Sequence, residues 1–130
     1  MMDNPEKAVA EAEAWLKGAH KTLEARTVGT ANVCCAQAIH SIIRANDALC
    51  MKFMGHKPTR HEDMPHAFRK MMDQQRIGAE ERRFEHLLAK AMASKSGADY
   101  GKADFKWSDA EFFVKEAEEF ISMAKKYLKG

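Results

Sequence analysis

Apolar side chains recur along this chain at the three- and four-residue spacing of amphipathic helices. Asn4 followed by Pro5 predicts the start of the first helix, because the pair combines an N-cap residue with a proline at the first helical position. A turn over residues 27–30 separates this helix from an almost entirely apolar segment over residues 33–54, which Gly55 is expected to end. The apolar face of the first helix comprises Ala8, Ala12, Trp15, Leu16, Ala19 and Leu23.

The second half of the chain predicts three further helical segments. The third helix is expected to begin near Asp63, and the fourth follows Gly78. Residues 94–106 contain two glycines and are predicted to form a loop. Ser108 and Glu111 then have the spacing of a capping box, which predicts the start of the last helix.

No segment shows the alternating pattern of a strand, and the connections between helical segments are short. We therefore expect an all-α fold, an antiparallel up-down bundle of four to five helices that forms a single domain over residues 1–130. The composition, with 45% hydrophobic and 31% charged residues, is ordinary for such a protein. No apolar run approaches the ~18 residues that a membrane span needs, so no membrane partner is expected.

Charge and cysteine content narrow the functional classes further. A net charge of +2 is too small to indicate nucleic-acid binding by charge alone. Cys34, Cys35 and Cys50 all lie on the apolar second helix, and an odd number argues against a disulfide framework. We expect them to be reduced core residues of a cytoplasmic protein, since the N-terminus also lacks the apolar core of a signal peptide.

A polar stripe interrupts the apolar second helix. Its members follow one another at spacings of 3, 4 and 3, so they fall within about 80° of one helical face. Water, a second subunit or a ligand are the alternatives for what this stripe meets. Ser41 and Lys52 broaden the polar arc and favour water, whereas an ion pair between two stripe members suits a subunit interface. The stripe consists of Gln37, His40, Arg44 and Asp47.

Asn46 lies on roughly the opposite side of the same helix, toward the expected core. A buried amide needs hydrogen-bond partners, and we expect this one to bind a loop backbone. Asp99 and Tyr100 lie between two glycines and are interpreted as a structural turn, in which Asp99 caps or braces a neighbouring helix and Tyr100 packs its ring and bonds through its hydroxyl. His56, His61 and His66 are five residues apart, a step that places helical ligands on different faces. No metal and no cofactor are expected.

Several short motifs occur in a set order. Cys-Cys-Ala-x-Ala-Ile-His-x-x-x-Arg-Ala begins at Cys34, Lys-Pro-Thr-x-His begins at Lys57, Ala-Asp-Tyr-Gly begins at Ala98 and Ala-Glu-Glu-Phe-Ile begins at Ala117. In order and spacing they resemble the HEPN family (higher eukaryotes and prokaryotes nucleotide-binding), particularly its small stand-alone prokaryotic members. The resemblance covers nearly the whole chain. It implies a helical bundle that forms a homodimer and works beside a minimal nucleotidyltransferase, as a toxin–antitoxin pair.

Some members of that family are metal-independent ribonucleases with an Arg-x(4–6)-His motif, which Arg60 and His66 match. Arginine can stabilise phosphate charge, and a histidine that titrates near neutrality can deprotonate a 2′-hydroxyl. The motif lies before the third helix, whereas the resemblance implies a position at the start of a late helix. We therefore favour a dimeric interaction module. A metal-independent endoribonuclease is the alternative, and binding of a nucleotide or small ligand in the bundle groove beside Arg44 is a further one.

Overall fold

The computed structural model describes residues 3–101 and 103–129. Within this part the chain is helical and contains no strand, so the predicted all-α class is confirmed. Short 3-10 turns precede the third and fourth helices, at His61–Asp63 and Ala79–Glu81. The five α-helices are α1 (Pro5–Ala25), α2 (Ala31–Met54), α3 (Met64–Asp73), α4 (Arg83–Tyr100) and α5 (Trp107–Leu128).

The ends of α1 and α2 follow from local chemistry. The Asn4 side chain accepts a hydrogen bond of 2.8 Å from the Lys7 amide, which caps α1 as the sequence predicts. Gly55 ends α2 with a φ of 84°, a left-handed conformation in which glycine carries no steric penalty. The predicted boundaries of these two helices are confirmed.

The predicted loop over residues 94–106 is wrong as far as residue 100, because α4 continues to Tyr100. Asp99 and Tyr100 therefore lie in the last turn of a helix. Gly97 is inside α4, and a Cβ added there would lie 2.7 Å from the Cβ of Ala103. The glycine thus allows the returning chain to approach the helix closely, a role that its sequence context does not reveal. The same predicted loop includes Lys102, which lies outside the described residues.

The predicted capping box of α5 is also wrong. The helix begins at Trp107 with Lys106 as its N-cap residue, and the Asp109 carboxylate accepts a 2.9 Å hydrogen bond from the Lys106 amide. Asp109 at the third helical position satisfies this amide, so Ser108 is inside the helix. Glu111 instead forms an ion pair with Arg26 at the end of α1, at 3.0 Å.

Helix α2 is central, because it packs against each of the other four helices. Aromatic rings from the surrounding helices fill the core, with the centroids of Phe84 and Phe120 5.4 Å apart in an edge-to-face arrangement. The three cysteines of α2 are free and buried, as predicted, and burial raises the pKa of Cys34 to about 11. At neutral pH this thiol is therefore an apolar packing group.

Two cross-helix contacts fix the relative direction of α1 and α2. Thr22 donates a 2.7 Å hydrogen bond to Gln37, and Arg44 donates one of 2.6 Å to Glu11. The later residue of α1 contacts the earlier residue of α2, and the earlier residue of α1 contacts the later residue of α2. The two helices therefore run in opposite directions. Within the described residues, no helix has both the length and the apolar character needed to cross a bilayer.

Candidate functional site

The polar stripe of α2 contacts other helices of the same chain. Gln37 binds Thr22 of α1, His40 binds Asp99 of α4, and Arg44 binds Glu11 of α1. Water as the main counterpart of the stripe is wrong, since only 8% of the Asp47 side chain is exposed. Ser41, expected to widen a solvated arc, is fully buried and donates to the Ala12 carbonyl at 2.8 Å.

Arg44 is the centre of a network of three carboxylates. Its Nη1 lies 2.8 Å from Asp47 Oδ2, which confirms the ion pair that their spacing suggests. Its Nη2 lies 3.0 Å from Asp3 Oδ1 and 2.6 Å from Glu11 Oε1. One guanidinium therefore ties the segment before α1, the α1 helix and α2 together. Since only 16% of the Arg44 side chain is exposed, a phosphate ligand would have to displace carboxylates to reach it.

The network shifts the titration of its members in different directions. Partial burial lowers the pKa of Arg44, but the hydrogen bonds that it donates to Asp3, Asp47 and Glu11 outweigh this effect, and the net pKa is raised. The hydrogen bond from Arg44 holds the pKa of Asp3 below its usual value. For Asp47 burial is the stronger effect, so its pKa is raised despite Arg44.

A second cluster surrounds His40. Its Nε2 lies 3.1 Å from Asp99 Oδ1, and the other oxygen of Asp99 accepts a 2.8 Å hydrogen bond from Lys95. The Trp15 ring stacks on the imidazole with centroids 4.9 Å apart. Burial raises the pKa of Asp99, but the hydrogen bonds and charges of Lys95 and His40 outweigh it, and the net pKa is lowered.

The sequence predicts the bracing role of Asp99 but not its partners. Asp99 links α4 to α2, as expected, although it does so from a helix and not from a turn. Lys95 is four residues before Asp99, which is the spacing of an ion pair on a helix. This spacing predicts the pair only if the segment is helical, and the sequence predicts a loop over residues 94–106. Tyr100, expected to pack its ring, is 72% exposed.

Arg60 and His66 lie on the surface before and within the first turn of α3. The Arg60 Nη1 is 3.0 Å from Glu62 Oε1, and its Nε is 3.4 Å from Asp63 Oδ2. No ion pair or hydrogen bond joins Arg60 to His66 in the described part of the chain. Both side chains of the Arg60–Glu62 pair are 68% exposed, and exposed ion pairs are weak, so the arginine stays accessible to a phosphate. The two residues of the ribonuclease motif are nevertheless not brought into contact with each other.

Asn46 is buried, as predicted, but its expected bond to a loop backbone is wrong. Its Nδ2 donates a long hydrogen bond of 3.7 Å to the Cys50 sulfur on the next helical turn. Its Oδ1 has no hydrogen-bond partner among the described residues. An orphaned buried oxygen of this kind costs about 1–3 kcal/mol of stability.

An open depression of about 440 Å³ lies between α1 and α2, with Trp15 and Gln37 among its lining residues. It gives the ligand-binding alternative a location beside the polar stripe. Across residues 3–101 and 103–129, no group of three His, Cys, Asp or Glu side chains is arranged to hold a metal ion.

Comparison with models of known protein families gives no match, and comparison with curated proteins gives none either. The resemblance to the HEPN family therefore stays a prediction. The charged groups of the site pair with one another within the same chain. The side chains of Trp15 and Tyr100 beside them are exposed.

Proposed function

We propose that this chain is a HEPN-like interaction module, an antiparallel up-down bundle of the cytoplasm that forms a homodimer. In this proposal its further partner is a minimal nucleotidyltransferase, in a two-component system of the toxin–antitoxin type. The resemblance of the motifs supports the family and the partner. The distribution of exposed apolar groups around the α2 stripe supports the contact role.

The observation that carries the proposal is a set of three exposed hydrophobic side chains around the polar stripe of α2, which we call the α2 contact face. Trp15 is 40% exposed and stacks on His40, and Tyr100 follows Asp99, the hydrogen-bond partner of His40. Val33 is 49% exposed and precedes His40 by seven residues, so it lies on the same face of α2. Exposed aromatic groups of this kind are typical of protein contact surfaces.

The polar groups beside the α2 contact face suit burial against a second chain. Asp99 is hydrogen-bonded to both His40 and Lys95, and Arg44 has three carboxylate partners. Because the Asp99 carboxylate is already paired with the Lys95 ammonium, covering this cluster leaves no unpaired charge. A symmetric dimer places the same patch on both sides of the interface, so each exposed ring contributes twice.

Light scattering tests the proposal. Val33→Glu and Tyr100→Glu should convert a particle with the mass of two chains into one with the mass of a single chain, because each places a charge in the interface. Phe112→Glu is the matched control, since Phe112 is 40% exposed on α5, where Lys90 lies over its ring. A single-chain mass for the unmodified protein contradicts the homodimer.

The endoribonuclease alternative rests on Arg60 and His66, and the exposure of both side chains is the observation in its favour. Cleavage of RNA in the presence of EDTA, lost in both Arg60→Ala and His66→Ala, establishes it. The interaction module predicts no such cleavage, because among the described residues no hydrogen bond or ion pair joins Arg60 to His66.

A further inference from the structure

His40 lies beside the exposed side chains of the α2 contact face and contacts groups from two other helices. Its Nε2 is 3.1 Å from Asp99 Oδ1 on α4, and the uncharged Trp15 ring of α1 stacks on the imidazole with centroids 4.9 Å apart. The side chains of His40 and Asp99 are 28% and 17% exposed. They keep some contact with water in a single chain, and a second chain on the α2 contact face would remove it.

The charge of this cluster depends on the imidazole. The Lys95 ammonium is 2.8 Å from Asp99 Oδ2, so these two charges balance each other. Although burial raises the pKa of Asp99, the hydrogen bonds and charges of Lys95 and His40 leave it lowered, and the carboxylate is ionised above about pH 5. A neutral imidazole that donates its Nε2 proton to Asp99 therefore completes a cluster without net charge.

The other carboxylates near the imidazole are bound to a different cation. Arg44 lies one turn further along α2, and its guanidinium donates hydrogen bonds to three carboxylates, which are Asp3, Glu11 and Asp47. Glu11 of α1 accepts two of these bonds on the same oxygen, at 2.9 and 2.6 Å. These acids compensate the guanidinium, and Asp99 is the acid that contacts the imidazole.

Protonation of the imidazole changes the charge balance. A histidine gains its second proton between about pH 8 and pH 5. Because Nε2 already carries the proton that Asp99 accepts, the second proton binds at Nδ1 and leaves one positive charge without a counter-ion. Water solvates this charge in a single chain, whereas a symmetric dimer would cover two such charges, one from each copy. The dimer therefore binds protons less readily than the free chain, and a lower pH favours dissociation.

We propose that His40 is a pH sensor of the homodimer, and that protonation of its imidazole dissociates the two chains. The proposal rests on the homodimer through the α2 contact face and adds the condition under which it forms. Trp15 and Asp99 hold the imidazole in the interface. Lys95 sets the direction of the response, because it neutralises Asp99.

Sedimentation equilibrium at about pH 7.5 and about pH 5.5 tests the sensor, since histidine changes its charge between these values. We expect the dissociation constant of the unmodified chain to be roughly tenfold or more higher at the lower pH. In His40→Gln the amide can still donate to Asp99 but cannot become charged, so the pH dependence should disappear. His86→Gln is the matched control and should keep it, because His86 is exposed on α4 about 21 Å along the helix from Tyr100.

Lys95→Gln tests the direction of the response, and does so even if His40→Gln weakens the dimer. Without the ammonium, a neutral imidazole leaves Asp99 unpaired and a protonated imidazole balances it. This variant should therefore dimerise more tightly at the lower pH, a reversal that the loss of a purely structural contact would not produce. Lys90→Gln replaces an exposed lysine of the same helix and should respond as the unmodified chain does.

The outcomes separate the sensor from the homodimer itself. A monomer at every concentration and at both pH values contradicts the homodimer, and the sensor with it. A dimer whose dissociation constant is the same at both pH values, or whose pH dependence survives in His40→Gln, contradicts the sensor alone. So does a Lys95→Gln variant that responds in the same direction as the unmodified chain. Loss of helical circular dichroism at the lower pH also contradicts the sensor, since unfolding would then cause the dissociation.

Discussion

His40 on α2 and Asp99 on α4 join two helices through a 3.1 Å contact between Nε2 and Oδ1. Lys95 holds the other oxygen of the same carboxylate at 2.8 Å. The hydrogen-bonded carboxylate therefore anchors the last turn of α4, which includes Tyr100 of the α2 contact face. This relationship connects the stability of the α2–α4 contact to the ionisation of Asp99.

Asp99→Asn should remove a stabilisation that depends on pH. Because the pKa of Asp99 is lowered in the folded chain, its carboxylate stabilises the fold above the unfolded pKa of about 4, and this stabilisation is lost as the pH falls through the folded value. Urea unfolding should therefore show a larger deficit for Asp99→Asn at pH 7 than at pH 3. A stability deficit of Asp99→Asn that does not change with pH contradicts a lowered pKa of Asp99 in the folded chain.

Asp47→Asn should show the opposite trend. Burial raises the pKa of Asp47 in the folded chain, so its contribution favours folding below the unfolded pKa and is lost as the pH rises through the folded value. The unmodified chain should gain stability relative to Asp47→Asn as the pH is lowered. Parallel pH profiles for the Asp47 and Asp99 variants would show that the two carboxylates do not differ in this way.

Arg44→Leu should destabilise the fold by about 2–4 kcal/mol, because it leaves Asp47 largely buried without a cation and releases Asp3 and Glu11. Arg44→Lys should recover only part of this loss, since an ammonium cannot reproduce the fork of the guanidinium. Arg76→Leu is the control on an exposed arginine. Equal urea midpoints of unfolding for Arg44→Leu and Arg76→Leu would contradict a stabilising role of Arg44 in the network.

Gly97→Ala should destabilise the chain by about 1–2 kcal/mol, although alanine usually stabilises a helix relative to glycine. The added Cβ would lie 2.7 Å from the Cβ of Ala103, and both groups are fixed to backbone. Gly18→Ala is the matched control, because its Cβ would meet only the end of the flexible Gln37 side chain, at 3.0 Å. The midpoint of thermal unfolding should be lower for Gly97→Ala than for Gly18→Ala. A higher midpoint for Gly97→Ala than for the unmodified chain would contradict the close approach of Ala103 to Gly97.

Asn46→Leu should stabilise the chain by about 1 kcal/mol. The substitution removes an Oδ1 that has no partner among the described residues and keeps a side chain of similar shape. The substitution also removes the long 3.7 Å hydrogen bond from Asn46 to the Cys50 sulfur, which contributes little. A lower urea midpoint for this variant would indicate that the amide oxygen is satisfied in solution.

Local patterns in the sequence predict part of the fold and of the site. The cap at Asn4, the stop at Gly55 and the pair of Arg44 with Asp47 depend on residues within four positions of one another, and all three are confirmed. The glycines at 97 and 101 predict a loop, which is wrong for residues 94–100. Gly97 instead makes room for Ala103 beside the helix, and this contact is not visible in the sequence. The contact of His40 with Asp99 spans 59 positions and depends on how α4 packs, which the hydrophobic pattern does not specify.

Sedimentation equilibrium of the full chain over a wide concentration range tests the homodimer most directly. We expect a monomer–dimer equilibrium whose dissociation constant rises about tenfold or more in Val33→Glu/Tyr100→Glu, because two charges enter the interface of each chain. Phe112→Glu should leave the equilibrium unchanged. A chain that sediments as a monomer at every concentration, or a dimer equally strong in Val33→Glu/Tyr100→Glu, contradicts a homodimer through the α2 contact face.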